Sequence, residues 1–140
     1  MKQNPSAEIL LVEDDSILTK LLEYHLEKIV KCPVRSFVNG QDLVKFFSEA
    51  KQEKTYLIFL DINMPIMDGW QTLDYLNDFH KISNIFVVIL SSSLYPPDEK
   101  RAYAYPQVID YRDKFLERDD FREILSKEPL KSSFALETVS

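Results

Sequence analysis

The sequence predicts an α/β protein with a doubly wound, five-stranded parallel sheet and helices on both faces. Five short apolar runs, each bounded by polar turns, recur along the chain as expected for buried strands. Segments with apolar residues at helical spacing separate these runs. Because right-handed crossovers join neighbouring parallel strands, this alternation favours a parallel sheet. At 140 residues, the chain has the length of one domain.

The predicted elements alternate along the whole domain. The apolar runs place strands at residues 9–12, 34–37, 56–60, 85–90 and 108–111. Helical spacing covers residues 17–29, 43–50 and 70–79. A shorter helix is predicted over residues 98–105, between Pro96 and Pro97 on one side and Pro106 on the other, and a last one around residues 121–125. Residues 1–7 and 128–140 lack periodicity, so we expect flexible termini around a domain that spans residues 8–127.

The composition excludes several classes of protein. The two glycines, Gly40 and Gly69, lie too far apart for a glycine-rich phosphate loop. The single cysteine, Cys32, can form neither an internal disulfide nor a cysteine-rich zinc site, so a cytoplasmic protein is expected. A net charge of −6 disfavours nucleic acid and anionic membranes as partners. The longest apolar run, residues 85–90, is much shorter than the ~20 residues that span a bilayer.

Acidic residues cluster at the ends of the first and third predicted strands. Glu13, Asp14 and Asp15 follow the first strand, and Asp61 follows the third. Ligands of a doubly wound sheet bind outside the carboxyl ends of its strands, and these four residues share that edge. Adjacent carboxylates repel one another unless a cation lies among them, so the cluster predicts a divalent metal site. Asp15 is instead expected to cap the first helix.

The fourth and fifth strands add a hydroxyl group and a cation to the same edge. Ser91 ends the fourth strand and can donate to a phosphoryl oxygen, while Lys114 follows the fifth strand as a mobile positive charge. Taken alone, Ser91 is explained by a turn and Lys114 by an exposed surface position. Their joint placement with the acidic cluster indicates a functional site.

Four pieces of the sequence carry a resemblance to a known family. They are ILLVEDD at residues 9–15, IFLDINMPIMDG at residues 58–69, VVILS at residues 87–91, and Lys114. In this order they resemble the receiver domain of bacterial two-component response regulators, over residues 8–127. The resemblance implies a flavodoxin-like receiver fold. Because 140 residues leave little room for an output domain, a stand-alone receiver in a phosphorelay is expected.

The resemblance also implies the chemistry of the acidic cluster. Asp61 matches the phosphoacceptor, and Glu13 and Asp14 match the acidic pair that holds Mg2+ together with Asp61 and the backbone carbonyl of Asn63. The implied donor is a phosphohistidine on a sensor histidine kinase or phosphotransfer protein. The implied product is an aspartyl phosphate that hydrolyses slowly, so the protein is expected to be a signalling phosphoacceptor rather than an enzyme. Its downstream target would be another protein, which the sequence does not identify.

Three further residues match positions that stabilise or transmit phosphorylation in the family. Lys114 matches the lysine that contacts the phosphoryl group, Ser91 the switch hydroxyl, and Tyr111 the aromatic switch residue. The resemblance implies that the new charge draws Ser91 toward it and that Tyr111 then turns inward. The surface of the fourth helix and fifth strand would change as a result.

Two positions depart from the family pattern. Phe115 stands where the family usually has a proline, often joined to the preceding lysine by a cis bond. A non-proline cis bond costs about 3–4 kcal/mol, so we expect either a trans Lys114–Phe115 bond with a rearranged loop or a strained cis bond. Pro106 stands near a position where the family tends to have glycine, so a remodelled fourth-helix surface is expected.

Three other functions compete with phosphoacceptance. A receiver-like scaffold would bind protein partners without being phosphorylated, which the Phe115 loop would favour if it misplaced Lys114. A phosphohydrolase would use Asp61 as its nucleophile but needs an aspartate as acid two residues later, where this chain has Asn63. A nucleotide- or flavin-binding module would need phosphate-cradling amides in its first loop, where the carboxylates of residues 13–15 would repel a phosphate.

Overall fold

The computed structural model describes residues 7–49, 54–78, 84–92 and 95–134. The described residues form one parallel sheet in the order β2-β1-β3-β4-β5. Its strands are β1 (Ala7–Val12), β2 (Val34–Phe37), β3 (Thr55–Asp61), β4 (Asn84–Ser91) and β5 (Val108–Asp113). The helices are α1 (Ser16–Glu27), α2 (Gly40–Ser48), α3 (Gly69–Asn77), α4 (Pro96–Tyr103), α5 (Arg118–Leu125) and α6 (Leu130–Ser133). The predicted doubly wound sheet is confirmed.

The two faces of the sheet pack against different helices. Alternate residues of β1 enter separate core clusters, with Ile9 and Leu11 in one and Leu10 and Val12 in the other. The first cluster contains the apolar faces of α1 and α5, and the second contains those of α2 and α3 with Ala102 of α4. Burial on both faces explains why β1, β3 and β4 are continuous apolar runs, whereas the edge strands β2 and β5 also carry exposed polar residues.

Polar side chains fix where the helices begin. Asp15 caps α1, because its Oδ1 accepts hydrogen bonds from the N–H groups of Ile17 at 3.0 Å and Leu18 at 3.2 Å. This confirms the predicted role of Asp15. Asp68 and Gln71 form a capping box at α3, in which each side chain accepts a hydrogen bond from the backbone of the other residue. These caps set the positions of the loops that carry the site.

Helix α4 begins two residues earlier than predicted. Pro96 and Pro97 form its first positions rather than a boundary before it. Proline fits there because the first helical N–H groups have no partner within the helix. The predicted helical positions 50 and 79 lie outside the described residues.

Residues 130–134 are folded, which corrects the part of the expected flexible terminus, residues 128–140, that the structure describes. Leu130 and Phe134 are 1% and 2% exposed and lie in the first core cluster. One helical turn brings these two residues to the same side, and a four-residue helix is too short to produce a periodic pattern. Ala7 likewise belongs to β1 rather than to a flexible end. Residues 1–6 and 135–140 lie outside the described residues.

No helix within the described ranges is both long enough and apolar enough to span a bilayer.

Candidate functional site

An acidic pocket lies at the carboxyl ends of β1 and β3, where the strand order reverses. Glu13 directly follows β1 and is 2% exposed, whereas Asp61 ends β3 and is 1% exposed. Asp14 is exposed at the mouth of the pocket. One carboxylate oxygen from each of these three residues lies within 4.8 Å of the other two. The structure therefore brings together the three carboxylates that the sequence predicted.

The donor set of this pocket fits a small divalent cation. Within the described part of the chain, the buried Glu13 Oε1 accepts no hydrogen bond, and the buried Asp61 Oδ2 has a long contact of 3.5 Å with Lys114 Nζ in place of a good one. Buried carboxylate oxygens without donors are stable when a cation neutralises them, and Mg2+ prefers a few such oxygens completed by water. The Asn63 side chain is exposed, and its N–H donates to Asp61 Oδ1 at 3.1 Å. Ligation by the Asn63 carbonyl stays a prediction.

Lys114 reaches the pocket despite the departure at the next residue. Its Nζ lies 3.5 Å from Glu13 Oε2 and 3.5 Å from Asp61 Oδ2. The Lys114–Phe115 bond is trans, since the only cis bond among the described residues precedes Pro129. The N–H of Lys114 donates to the carbonyl of Ser91 at 3.1 Å, which fixes the start of the loop. The trans alternative is confirmed, and it leaves the ammonium group beside the acidic residues.

The pocket carries unfavourable negative charge that one lysine does not fully offset. Burial, together with the neighbouring charge of Asp61 and against a hydrogen bond from the Asp15 N–H, raises the pKa of Glu13 to about 7. Burial also raises the pKa of Asp61, while Lys114 opposes that rise. Burial alone would lower the pKa of Lys114, but attraction to Asp61 and Glu13 raises it overall. An added cation would relieve this repulsion.

The two predicted switch residues are both buried. Ser91 ends β4 and is 3% exposed. Tyr111 is 7% exposed and lies in the second core cluster with Ala102 of α4. Tyr111 is therefore largely buried in this structure, where it lies on β5 opposite Ile89 of β4. Its rotation on phosphorylation stays a prediction.

The structure reveals a set of exposed apolar residues that the sequence analysis missed. Ile17, Ile66 and Phe115 are 80%, 74% and 62% exposed. Ile17 lies three residues after Asp14, Ile66 lies in the loop that follows Asp61, and Phe115 directly follows Lys114. The backbone of Ile66 has an unusual positive φ of 70°. We call these three residues the apolar rim. Apolar residues are usually predicted to be buried, so their types alone gave no signal of this arrangement.

The fold and the pocket together define the class of phosphoacceptor signalling domains. The family model described as the response regulator receiver domain matches residues 9–126. The chain therefore belongs to the response regulator receiver domain family, as the resemblance predicted. Its function is that of a receiver in phosphorelay signalling.

The curated relatives that the chain matches are much longer than the matched region. It is 26% identical over 132 residues to hybrid signal transduction histidine kinase L of Dictyostelium discoideum, covering 90% of this chain and 8% of that protein. It is 32% identical over 89 residues to response regulator SSK1 of Verticillium dahliae, covering 64% of this chain and 10% of that protein. The chain thus spans a tenth or less of both relatives.

A solved structure shares the fold over almost the whole chain. It comes from the co-crystal structure of the Saccharomyces cerevisiae histidine phosphotransfer signalling protein Ypd1 and the receiver domain of its downstream response regulator Ssk1. The TM-score is 0.76 at 23% identity, and 96% of each chain is covered.

Proposed function

We propose that Asp61 accepts a phosphoryl group from a histidine-phosphorylated partner, in a reaction that requires Mg2+. The observation that carries this proposal is the geometry around Asp61, whose Oδ2 lies 3.5 Å from Lys114 Nζ. The same carboxylate lies within reach of a cation shared with Glu13 and Asp14. Phosphoryl transfer depends on positioning and charge neutralisation, which such an arrangement supplies without a catalytic histidine.

The transfer would exchange one phosphorus bond for another. An oxygen of the Asp61 carboxylate bonds to phosphorus as the P–N bond of the donor phosphohistidine breaks. The bonding electron pair stays on the imidazole nitrogen, which takes up a proton. Lys114 offsets the charge on the phosphoryl oxygens, and the Ser91 hydroxyl donates a hydrogen bond to one of them. Glu13, Asp14, Asp61 and the Asn63 carbonyl would hold Mg2+. The bound cation would supply further positive charge beside the phosphoryl oxygens.

The apolar rim supports a protein rather than a small molecule as the physiological donor. Ile17, Ile66 and Phe115 would bury apolar surface when a partner docks over the pocket. The partner class that fits is a histidine kinase or histidine phosphotransfer protein, since one of the matched structures is a complex with such a protein. The Ile17→Ser variant should accept phosphate more slowly from a phosphorylated histidine phosphotransfer protein, with unchanged labelling by acetyl phosphate. Equal rates from the protein donor would contradict docking at the rim.

Signalling would follow from the phosphorylated state rather than from turnover of a substrate. Attraction of Ser91 to the new charge would alter the packing between β4, Tyr111 and α4, and an as yet unidentified protein would read the changed α4–β5 surface. Hydrolysis of the aspartyl phosphate would reset the domain slowly. The single cysteine and acidic net charge support a cytoplasmic location for this exchange.

Labelling with acetyl phosphate tests the central proposal. In the presence of Mg2+ the protein should gain the mass of one phosphoryl group, and both Asp61→Asn and removal of Mg2+ by a chelator should abolish this gain. Lys114→Ala should slow labelling by at least about tenfold, whereas Lys127→Ala should not. If the wild type gained no mass with several small donors, the non-phosphorylated scaffold would be the better description.

A further inference from the structure

A cluster of four side chains joins α3 to the α4 region on a surface away from the acidic pocket. The Arg101 guanidinium lies over the Trp70 ring, with its Cζ 4.1 Å from the ring centroid. The Trp70 and Tyr105 rings are stacked, with centroids 6.5 Å apart and an interplanar angle of 24°. The Tyr105 hydroxyl donates a hydrogen bond to Asp74 Oδ1 at 2.6 Å. We call Trp70, Asp74, Arg101 and Tyr105 the α3–α4 clasp.

Among the described residues, helix α4 packs chiefly on β5 and buries little of its own surface. Among its described residues, Ala102 alone is buried. On its β5 side, the Tyr103 hydroxyl makes a long hydrogen bond of 3.4 Å to Asp110. The buried Gln107 adds a link between the following loop and α3, because its Nε2 donates to the Leu73 carbonyl at 3.3 Å. Because α4 buries so little apolar surface of its own, the exposed contacts of the clasp add to its packing on β5 and hold it against α3.

The clasp connects a helix that is fastened beside Asp61 to the segment that follows Ser91. Trp70 directly follows Gly69, whose N–H donates to the Ile62 carbonyl at 2.7 Å, so the start of α3 is fastened to the residue after Asp61. Arg101 and Tyr105 lie in the segment that joins β4, which ends at Ser91, to β5. A displacement of Ser91 toward a phosphoryl group would therefore pull on α4 while α3 stays fixed.

We infer that the α3–α4 clasp restrains α4 in the unphosphorylated protein and must weaken when Asp61 is phosphorylated. This inference rests on the proposed phosphorylation of Asp61. Because phosphorylation and the clasp act on the same helix in opposite directions, removing the clasp favours the phosphorylated conformation. A single exposed cation–π pair changes such an equilibrium by about two- to fivefold. Arg101 and Trp70 thus act as positioning residues for α4.

Hydrogen exchange and tryptophan fluorescence test the clasp directly. Trp70 is the only tryptophan of the chain, so its emission reports on the Arg101 contact. Acetyl phosphate with Mg2+ should change this emission in the wild type and speed amide exchange in α4, while Asp61→Asn shows neither change. In Arg101→Ala, α4 should exchange faster before phosphorylation, and labelling by acetyl phosphate should be about two- to fivefold faster. Tyr105→Phe, which loses only the hydrogen bond to Asp74, should give a smaller effect in the same direction.

Lys100→Ala is the matched control, because Lys100 is an exposed neighbour of Arg101 on the same helix. It should behave as the wild type in exchange and in labelling rate. A mass gain without any change in α4 exchange or Trp70 emission would overturn the inference and leave the proposed function intact. Absence of a mass gain would overturn the proposed function and the coupling together. Even without phosphorylation, amide exchange in α4 that is equally fast in Arg101→Ala and the wild type would show that the clasp does not restrain α4.

Discussion

The Glu13 carboxyl group determines much of the chemistry of the pocket at the scale of a single residue. Burial and, to a smaller extent, the charge of Asp61 raise its pKa to about 7. Burial disfavours the ionised carboxylate because it removes the water that would solvate its oxygens. A divalent cation bound to these oxygens replaces that solvation and stabilises the ionised form. Protons and a divalent cation therefore compete for Glu13.

This competition predicts an unusual pH dependence of stability without a divalent cation. Between the ordinary pKa of 4.5 and about 7, the folded protein holds a proton on Glu13 that the unfolded chain has lost. The contribution of this bound proton to the free energy of unfolding is therefore fully present below pH 4.5 and is lost as the pH rises through about 7. Asp61, whose pKa is also raised, acts in the same direction. The free energy of unfolding, measured with urea and a chelator, should be lower at pH 8 than at pH 5.5.

Two comparisons check the origin of this effect. Glu13→Gln should reduce the difference between the two pH values, because the substituted side chain does not titrate. Added Mg2+ should stabilise the wild type more at pH 8 than at pH 5.5, since the cation binds the ionised carboxylates. A pH difference of equal size in Glu13→Gln would assign it to other groups.

At the scale of elements, the junction between β3 and α3 positions the phosphoacceptor. A Cβ atom added to Gly69 would lie 2.7 Å from Ile62 Cα and 2.9 Å from the Asp61 carbonyl oxygen. Both neighbours are backbone atoms, which cannot turn away as a side chain can. The helix can approach the end of the strand this closely only because Gly69 has no side chain.

Gly69→Ala should therefore damage both stability and phosphorylation. The start of α3 must shift away from β3, which we expect to lower the free energy of unfolding by about 1–3 kcal/mol and to slow labelling of Asp61. Urea unfolding and acetyl phosphate labelling measure the two effects. Gln41→Ala, an exposed position in the first turn of α2, should change stability by less than about 0.5 kcal/mol. Normal labelling in folded Gly69→Ala would show that this close approach does not position Asp61.

At the scale of the whole molecule, the folded unit extends beyond the residues that match the family model. That match ends at residue 126, yet Leu130 and Phe134 lie in the core cluster formed by α1, α5 and one face of the sheet. Helix α6 therefore belongs to the hydrophobic core rather than to a separate tail. A domain boundary at residue 127 would expose the apolar surface that these two side chains cover.

Phe134→Ala should accordingly destabilise the protein by about 3–5 kcal/mol, the usual effect of removing a buried aromatic ring. Thermal or urea unfolding measures the loss, and ending the chain after residue 127 should have at least as large an effect. Lys131→Ala, which changes an exposed residue of the same helix, should be neutral within about 0.5 kcal/mol. Unaltered stability of the shortened chain would show that α6 contributes nothing to the core.

The sequence predicted correctly the features that follow from local residue patterns or from the general topology of parallel sheets. Strands β1, β3 and β4 follow from continuous apolar runs and β2 and β5 from shorter, mixed ones, and the meeting of Glu13, Asp14 and Asp61 follows from parallel strands ending at one edge. The contact of Trp70 with Arg101 depends on how α3 packs beside α4, for which no periodic pattern exists. Helix α6 was missed because four residues carry too little periodicity to be recognised.

The central position of β3 has a mechanical consequence. This strand is paired along its length with β1 on one side and β4 on the other, so it cannot slide without breaking hydrogen bonds in both directions. Within the described residues, strand β5 pairs with β4 alone and is bordered by α4, in which Ala102 is the one buried residue. A displacement at this edge of the sheet therefore leaves the central strand, and with it the Asp61 carboxylate, in place.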